Sequence, residues 1–236
     1  MNGTEATVVD LVRVALDEAI SAAQATNGRS VAVLDAGCGR ASPLRPFRAR
    51  IGRFVGADVH PPSEPLAYLD EFMTVDLCAS NEPFEPGTFD VILMNFALEH
   101  FDDPAIALGH LRRALRPGGR LVATTVNRRH PFVRAYLSLP SALRGRAQRW
   151  VKSTPADAHR LVGACNDPAT IRRMLEAAGF IDNRLHTVGH LGQAWGRRRP
   201  TRWIGRLGDA LVAGSPGRRS TIVAIASAPA AIGQAA

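Results

Sequence analysis

The chain has 236 residues, 46% of them hydrophobic, and a formal net charge of +8. This composition excludes a disordered chain, and the length suits one large domain or two small ones. Its apolar runs are shorter than the roughly 20 residues that span a bilayer, and charged residues between Asp10 and Glu18 argue against a signal peptide. Because Cys38, Cys78 and Cys165 lack metal-ligand spacing, we expect a cytoplasmic protein without a metal site.

Two segments hold the excess of positive charge. Residues 128–160 contain eight basic side chains against one acid, and residues 197–219 contain seven against one. Trp150, Trp195 and Trp203 lie within or beside these segments. Interleaved basic and aromatic residues are typical of surfaces that bind nucleic acid or membranes, but packing of a lid on the domain would also explain them. The charge pattern alone leaves these alternatives open.

The first half of the chain alternates between helical and strand patterns. Apolar residues recur at helical spacing over residues 4–26, and Asn27-Gly28 ends that helix. Ser42 before Pro43 predicts the start of a second, short helix. Short apolar runs predict four strands, of which the first should be buried on both faces and the third is only weakly indicated. These strands cover residues 31–35, 54–59, 72–76 and 89–95.

The second half continues the alternation. Asp103-Pro104 begins a helix that Pro117-Gly118-Gly119 stops, and Asp167-Pro168 begins another that runs to Gly179. Three further strands are predicted near residues 121–126, 181–189 and 220–227. Strands that alternate with helices indicate an α/β domain with a mostly parallel sheet.

A glycine-containing turn follows the first predicted strand. The run from Val33 to Ser42 reads VLDAGCGRAS, in which Asp35 ends the strand and Gly37 and Gly39 form the turn. In an open α/β sheet, ligands bind at this carboxyl end of a central strand. A dinucleotide-binding turn would need a third glycine where Ser42 stands, and it does not call for the acid. An acid there favours a ligand that carries positive charge.

Several segments, in order, resemble the motifs of the class I S-adenosylmethionine-dependent methyltransferases, and most closely their small, single-domain branch. They read VLDAGCGRA, FVGADVH, TVDL, FDVILMNFALEHFDDP, LRPGGRLVATTVN and DPATIRRMLEAAGF, and they cover roughly residues 30–127 and 167–187. One departure is Ala41, which replaces the third glycine of the first motif. The resemblance implies a Rossmann-like α/β sheet of seven strands, mostly parallel with the last strand antiparallel, and helices on both faces.

The resemblance also implies S-adenosylmethionine as the methyl donor and assigns residues to it. Asp58 matches the acid that holds the ribose hydroxyls, and Asp76 matches the acid that takes the adenine amino group, with Leu77 against the ring. A carboxylate-lined site suits the positive charge of the sulfonium. The expected donor-binding residues are Asp35, Gly37, Cys38, Gly39, Asp58, Val59, Asp76, Leu77 and Asn95.

Two histidines are candidates for a catalytic general base. His100, in the pair Glu99-His100, follows the fourth predicted strand, and His130 follows the fifth. Both would then lie at the carboxyl edge of the sheet and could face the acceptor. Histidine suits proton removal near neutral pH because of its unperturbed pKa. Each of the two could equally be a structural histidine.

We predict a single methyltransferase domain over residues 1–236. It comprises an N-terminal helix within 1–28, a basic lid-like insert at 128–166 and a basic Gly/Arg/Trp-rich excursion at 190–219. The insert resembles that of members acting on sugars, glycans or lipid-linked intermediates. The main hypothesis is therefore O-methylation of a small or medium-sized acceptor, which is anionic or held at an anionic surface such as a membrane.

Two other functions stay open. A nucleic-acid methyltransferase would use the basic segments, although no recognised RNA-binding module and no Asn/Asp-Pro-Pro-aromatic signature occur in the chain. A non-catalytic protein that binds the donor without turnover would show the same donor-binding motifs. Salt-dependent retention on RNA would indicate the first, and donor binding without activity on a panel of acceptors would indicate the second.

Overall fold

A computed structural model describes residues 7–28, 30–140, 142–144, 146, 162–163, 166–195 and 199–230. Helices α1 to α6 span Val8–Asn27, Pro104–Ala114, Pro131–Leu137, Pro168–Ala177, Leu191–Ala194 and Arg199–Leu211. Strands β1 to β7 span Val31–Ala36, Ile51–Asp58, Glu71–Thr74, Phe89–Asn95, Leu115–Val126, Ile181–Val188 and Thr221–Ser227. Short 3-10 helices cover Arg45–Arg50, Leu98–His100 and Pro216–Arg218.

All seven strands belong to one sheet, in the order β3-β2-β1-β4-β5-β7-β6. Strand β7 runs antiparallel to its neighbours β5 and β6, and the other neighbouring strands are parallel. The predicted fold class is therefore confirmed. Since β1 to β6 all point the same way, their carboxyl ends meet at one edge of the sheet, where ligands bind in this architecture.

Helices cover both faces of the sheet. Every residue of β1 is buried, as expected for a central parallel strand. On one face, Val33 belongs to the same apolar cluster as Leu16 of α1. On the other face, Leu34 belongs to a cluster with Leu108 of α2 and Leu175 of α4. The central strands are thus held rigidly, and the turns at their carboxyl ends start from fixed positions.

The Asp-Pro signals in the sequence act as helix caps. The Asp103 carboxylate accepts a hydrogen bond from the backbone N–H of Ala105 at the start of α2. The Asp167 carboxylate accepts one from the N–H of Thr170 at the start of α4. Each cap satisfies a donor that the first helical turn leaves unpaired. At the carboxyl end of α1, Gly28 has a φ of 54°, the left-handed conformation that ends many helices.

Several predicted boundaries differ from the observed ones; β2, for example, begins at Ile51 and β3 ends at Thr74. Two of the differences have a clear local cause. Ser42 does not cap a helix, because its hydroxyl accepts from the N–H of Leu44 within a turn and the following 3-10 helix begins only at Arg45. Strand β5 begins at Leu115, six residues before the predicted start at Leu121, because Leu115 already pairs with Phe89 of β4. The Pro-Gly-Gly run forms an irregularity in that pairing, with Gly118 at a φ of 76°. The basic excursion also contains α5 and α6, which the sequence pattern did not reveal.

Within the described ranges, no helix combines the length and apolar character needed to cross a membrane. The described residues likewise contain no group of three or more histidine, cysteine or acidic side chains placed to hold a metal ion.

Candidate functional site

The turn after β1 requires glycine at its first predicted position and leaves open space at the second. Gly37 has a φ of 74°, and a Cβ there would lie 2.5 Å from the Cβ of Ala97. Its N–H and that of Cys38 both donate to the carbonyl oxygen of Ala57, at 2.7 and 3.2 Å, which folds the turn against β2. Gly39 has a φ of 52°, and the space that a Cβ would take there is open to 4 Å, so a ligand can approach its backbone closely.

Asp35, the penultimate residue of β1, carries a buried carboxylate that has no hydrogen-bond partner among the described residues. Only 1% of the residue is exposed, and neither carboxylate oxygen accepts a hydrogen bond within the described part of the chain. Burial raises the pKa of Asp35 to about 7, and the nearby charge of Asp58 adds to this, while the neighbouring Ser42 hydroxyl opposes it. Buried carboxylates are normally paired, so this one fits a ligand that brings positive charge or hydrogen-bond donors.

Asp58 ends β2 beside the glycine turn. Its two carboxylate oxygens accept from the N–H of Gly39 and the N–H of His60, each at 3.1 Å. These bonds hold the carboxylate in place and leave lone pairs on both oxygens for further donors. Val59 follows with 47% of its surface exposed, which places an apolar surface next to the acid.

The segment after β3 lies against the end of β2. The N–H of Val75 donates to the carbonyl oxygen of Asp58 at 3.0 Å. Asp76 is exposed, and one of its carboxylate oxygens accepts from the N–H of Cys78 at 2.8 Å. Leu77 is buried, and its carbonyl oxygen lies 3.1 Å from Nδ1 of His110, a histidine that is itself buried. The two acids predicted for ribose and adenine therefore follow adjacent strands at one edge.

The end of β4 closes the other side of the glycine turn. The Thr124 hydroxyl donates to the side-chain oxygen of Asn95 at 3.0 Å, and the N–H of Phe96 donates to the same hydroxyl at 2.9 Å. Phe96 has a φ of 53°, which is rare for an aromatic residue and typical of strained functional positions. Asn95 thus lies where it was predicted, on the strand next to β1.

His190 is a residue of this edge that sequence reasoning missed. It follows β6, and its ring stacks on Phe96 with 5.8 Å between centroids and 20° between planes. Burial lowers its pKa, with Gln193 and Asp209 opposing, so the ring is neutral near pH 7. Its Nδ1 is buried without a hydrogen-bond partner among the described residues. The sequence signal for His190 is its position directly after a predicted strand, and His100 likewise follows a predicted strand.

His100 and Glu99 occupy the 3-10 helix after β4. Glu99 is buried, and its carboxylate accepts from the Thr125 hydroxyl at 2.8 Å. Its carbonyl oxygen accepts from the N–H groups of Val162 and Gly163, at 2.9 and 3.2 Å, which ties the returning end of the insert to this edge. His100 is partly exposed at the same position. Glu99 is therefore held in a fixed position, and His100 lies partly exposed beside it at the carboxyl edge of the sheet.

His130 has contacts that favour a structural role. It is fully buried, its Nδ1 accepts from the N–H of Phe132, and its Nε2 donates to the carbonyl oxygen of Gly208, both at 3.2 Å. Burial lowers its pKa, which keeps the ring neutral. Because both ring nitrogens are engaged, His130 caps α3 and anchors α6 instead of presenting a free nitrogen to an acceptor.

Cys38 contributes backbone and packing to the site. Burial raises the pKa of its thiol to about 12, and the charges of Asp35 and Asp58 raise it further, so the thiolate does not form near neutral pH. Its sulfur lies 3.0 Å from the place that a Cβ on Gly56 would take, so position 56 of β2 has room only for glycine.

Both basic segments contribute to one cleft of about 990 Å³. Arg128, Arg129 and Arg134 line it from the first segment, and Arg218 lines it from the second. Asp167 also lies there, with its carboxylate engaged by the N–H and hydroxyl of Thr170. The charge of Arg129 helps to lower the pKa of Asp167, so one acid stands against four arginines in the cleft. The cleft, which we call the arginine cleft, suits an anionic ligand.

Part of the predicted insert lies outside the described residues. This applies to Arg149, Trp150, Lys152 and Arg160, and to Cys165 near its end. The structure describes the insert continuously from Arg128 to Pro140 and again from Asn166, where Asn166 donates to the carbonyl oxygen of Val126 at 3.1 Å.

The methyltransferase domain family matches residues 10–182, which is most of the chain. A ubiquinone biosynthesis O-methyltransferase of Cereibacter sphaeroides is 37% identical over 108 residues, which are 41% of each chain. The chain spans about half or less of the length of the curated relatives that it matches.

Two solved structures share the fold. A methyltransferase chain in complex with the Haloferax volcanii Trm112 methyltransferase activator gives a TM-score of 0.57 at 18% identity, over 96% of both chains. Phosphoethanolamine N-methyltransferase 2 of Haemonchus contortus, with S-adenosylhomocysteine bound, gives 0.53 at 17% identity, over 90% of this chain and 53% of the other. Together with the match of the domain family, the sheet order and the carboxylates at its edge, these findings show that the chain belongs to the class I S-adenosylmethionine-dependent methyltransferases.

Proposed function

We propose that this enzyme transfers a methyl group from S-adenosylmethionine to a hydroxyl oxygen of a small or medium-sized acceptor, such as a sugar, a glycan or a lipid-linked intermediate. The observation that carries the donor site is the unpartnered Asp35 carboxylate beside Asp58 and the open backbone of Gly39. A cationic ligand with a diol would satisfy both acids at once.

The other donor contacts follow from the same edge of the sheet. Asp58 would accept hydrogen bonds from the ribose hydroxyls, because its oxygens are already held in place by backbone N–H groups. Val59 and Leu77 would provide apolar surface for the adenine ring, and Asp76 would accept from its amino group. Asn95, fixed by Thr124, would contact the donor from the β4 side.

S-adenosylmethionine supplies an electrophilic methyl group on a sulfonium. The leaving group departs neutral, so the main tasks for the protein are to hold the acceptor oxygen in line with the methyl carbon and to exclude water. A hydroxyl acceptor must also lose its proton. We assign this role to His100, since it is partly exposed at the carboxyl edge after β4, and not to His130, which is fully buried.

The arginine cleft supports an anionic acceptor. It lies beside α3, which follows β5 at the carboxyl edge, and the insert that begins there would close over the acceptor. Guanidinium groups pair with phosphate and carboxylate through two parallel hydrogen bonds.

The same cleft favours a second candidate function, methylation of a nucleic acid. Four arginines from two segments could follow a phosphate backbone. The two functions differ in salt dependence and substrate. Retention on RNA that falls steeply with salt, together with methylation of the retained RNA, would favour the second candidate.

The acceptor can be identified by incubating the enzyme with a cell extract and methyl-labelled donor, followed by mass spectrometry of the labelled products. We expect a labelled hydroxyl compound of low or medium mass that carries an anionic group. Arg128→Gln with Arg134→Gln should raise its KM and leave the donor affinity unchanged. The matched control is Arg53→Gln with Arg184→Gln, which removes two exposed charges away from the cleft. Equal KM values for the two double variants would contradict the role of the cleft.

The base can be tested once the acceptor is known. His100→Ala should lower kcat by about 10²- to 10⁴-fold without changing donor affinity, which is the usual effect of losing a general base. His186→Ala, on the exposed side of β6, is the control. Normal turnover in His100→Ala would remove the assignment.

A further inference from the structure

Helix α6 exposes its large apolar side chains and buries its small residues. The face against the rest of the protein consists of Thr201, Gly205 and Gly208. The outward face carries a stripe formed by Trp203, Ile204, Leu207 and Leu211, which we call the α6 stripe. Trp203 and Leu211 are 67% and 65% exposed. Surface helices normally turn such side chains toward the core, so this arrangement needs an explanation.

Close backbone contacts hold the stripe outward. A Cβ on Gly205 would lie 2.5 Å from the carbonyl oxygen of Leu191, and one on Gly208 would lie 2.8 Å from the ring of Phe132. Only a glycine face can approach α5 and α3 so closely. The helix therefore cannot rotate to bury Trp203 without losing these close backbone contacts.

A row of arginines runs along one side of the stripe. At 100° per residue, Arg199 and Arg206 fall next to Trp203 on the helix surface, seven positions apart. The single acid of the helix, Asp209, points elsewhere, because its oxygens accept from the Ser220 hydroxyl at 2.9 Å and the N–H of Gly192 at 3.0 Å. The outward surface of α6 is thus apolar and positive.

The helix also lies beside the candidate acceptor site. The carbonyl oxygen of Gly208 accepts from His130, which lies four residues beyond the end of β5 at Val126. Trp195, which follows α5, stacks on Phe132 of α3 with 6.2 Å between ring centroids. Arg218 of the arginine cleft follows α6 by one short turn. A surface that binds through α6 would therefore be brought close to the carboxyl edge of the sheet.

We propose that α6 docks on an anionic lipid bilayer. The α6 stripe would enter the boundary between headgroups and acyl chains, and the arginine row would contact lipid phosphates, as interfacial amphipathic helices do. This combination of Trp, Leu and Arg on one exposed helix matches the chemistry of that boundary. The proposal does not depend on which acceptor the enzyme uses, because it concerns binding and not turnover.

A second copy of the chain fits this surface less well. Two α6 helices packed face to face would bring arginine rows together, and Asp209 is not available to pair with them. Four apolar side chains also cover much less than the roughly 800 Å² per partner that stable interfaces bury. Charge complementarity thus selects an anionic surface.

The test is co-sedimentation of the full chain with lipid vesicles. Vesicles of phosphatidylcholine with about one third phosphatidylglycerol should bind the protein, and vesicles of phosphatidylcholine alone should bind it much less. Trp203→Gln with Leu207→Gln should weaken binding to the anionic vesicles by about tenfold or more, since two apolar anchors are lost. Arg199→Gln with Arg206→Gln should weaken it as well and reduce its salt dependence.

The matched control is Val9→Gln with Val14→Gln, which replaces two exposed apolar residues on α1. This variant should bind vesicles like the wild type, and all variants should bind S-adenosylhomocysteine normally, which shows that they are folded. The proposal is overturned if the wild type does not bind anionic vesicles, or if the α6 and α1 variants bind them equally well. It is also overturned if the α6 substitutions abolish only a dimer or only retention on RNA.

Discussion

Donor binding should weaken as the pH falls through 7, because Asp35 must be ionised to face a positively charged ligand. Burial raises the pKa of Asp35 to about 7 in the free protein. A ligand whose ammonium or sulfonium group lies near this carboxylate favours the ionised form and lowers that pKa. Binding is then coupled to loss of a proton, so affinity is highest above the free-protein pKa and falls below it.

The size of the effect follows from the free-protein pKa of about 7. At about pH 5.5, only about one molecule in thirty carries ionised Asp35, so affinity for S-adenosylhomocysteine should be about thirtyfold lower than at about pH 8.5. This corresponds to about 2 kcal/mol of binding free energy. The full thirtyfold difference in affinity is expected when the bound ligand lowers the pKa of Asp35 below the lower of these two pH values.

Isothermal titration calorimetry across this pH range measures the coupling directly. Asp35→Asn should bind more weakly at high pH and should lose the pH dependence, because an amide does not titrate. A wild-type affinity that does not change between these pH values would refute the role of Asp35. So would the same slope in Asp35→Asn, since another group would then be titrating.

Three further predictions concern single residues. Gly37→Ala should abolish donor binding and lower the Tm more than Gly87→Ala, because both sites have positive φ but only the first new Cβ meets a neighbour, at 2.5 Å. Asp90→Ala should cost about 3 kcal/mol in urea unfolding, since it removes a buried carboxylate that accepts from both Arg116 and the N–H of Ala32, whereas Glu71→Ala, from an exposed pair, should cost at most about 1 kcal/mol. Since burial lowers the pKa of His130 from 6.5, stability should decline as the pH drops below about 6.5, and His130→Gln should reduce that decline.

Each of these has a clear contrary outcome. Equal Tm values for the two glycine variants would show that contact with Ala97 does not matter. Equal unfolding free energies for Asp90→Ala and Glu71→Ala would mean that burial of the Asp90 carboxylate does not increase the cost of removing it. If His130→Gln loses as much stability at low pH as the wild type, another group must cause the pH dependence.

The parts of the fold that follow from local signals could be predicted from the sequence. The caps Asp103 and Asp167 begin helices where expected, and the apolar run of β4 forms a strand with the predicted bounds. The carboxyl ends of parallel strands share one edge, so the strand pattern was enough to place Asp58 at the same edge as Gly39, and the two residues share a hydrogen bond. These inferences use contacts that the chain direction and the strand pattern already determine.

Helix α6 could not be predicted because its pattern is reversed. Helical periodicity is normally recognised from large apolar residues that face the core, and glycines count against a helix. Here Gly205 and Gly208 form the buried face, and Trp203 faces outward. Only the position of α5 and α3 explains why small residues are needed there.

The roles of the histidines also depended on distant contacts. His130 follows a strand at the carboxyl edge, as predicted, but its Nε2 is taken by Gly208, a residue 78 positions away. His190 also follows a predicted strand, and only the tertiary structure shows that its ring stacks on Phe96 at another strand end. Strand position predicts which edge a side chain is near, and tertiary contacts decide whether its nitrogen is free.

Calorimetry of S-adenosylhomocysteine with the wild type and Asp58→Ala tests the donor site most directly. The wild type should bind, and the variant should bind about ten- to hundredfold more weakly, because it loses hydrogen bonds to a charged group worth about 1.5–3 kcal/mol. Thermal unfolding of Asp58→Ala would check that the turn at Gly39 is still formed. Equal affinity in the two proteins, or tight binding of a nicotinamide dinucleotide with no binding of S-adenosylhomocysteine, would contradict the account.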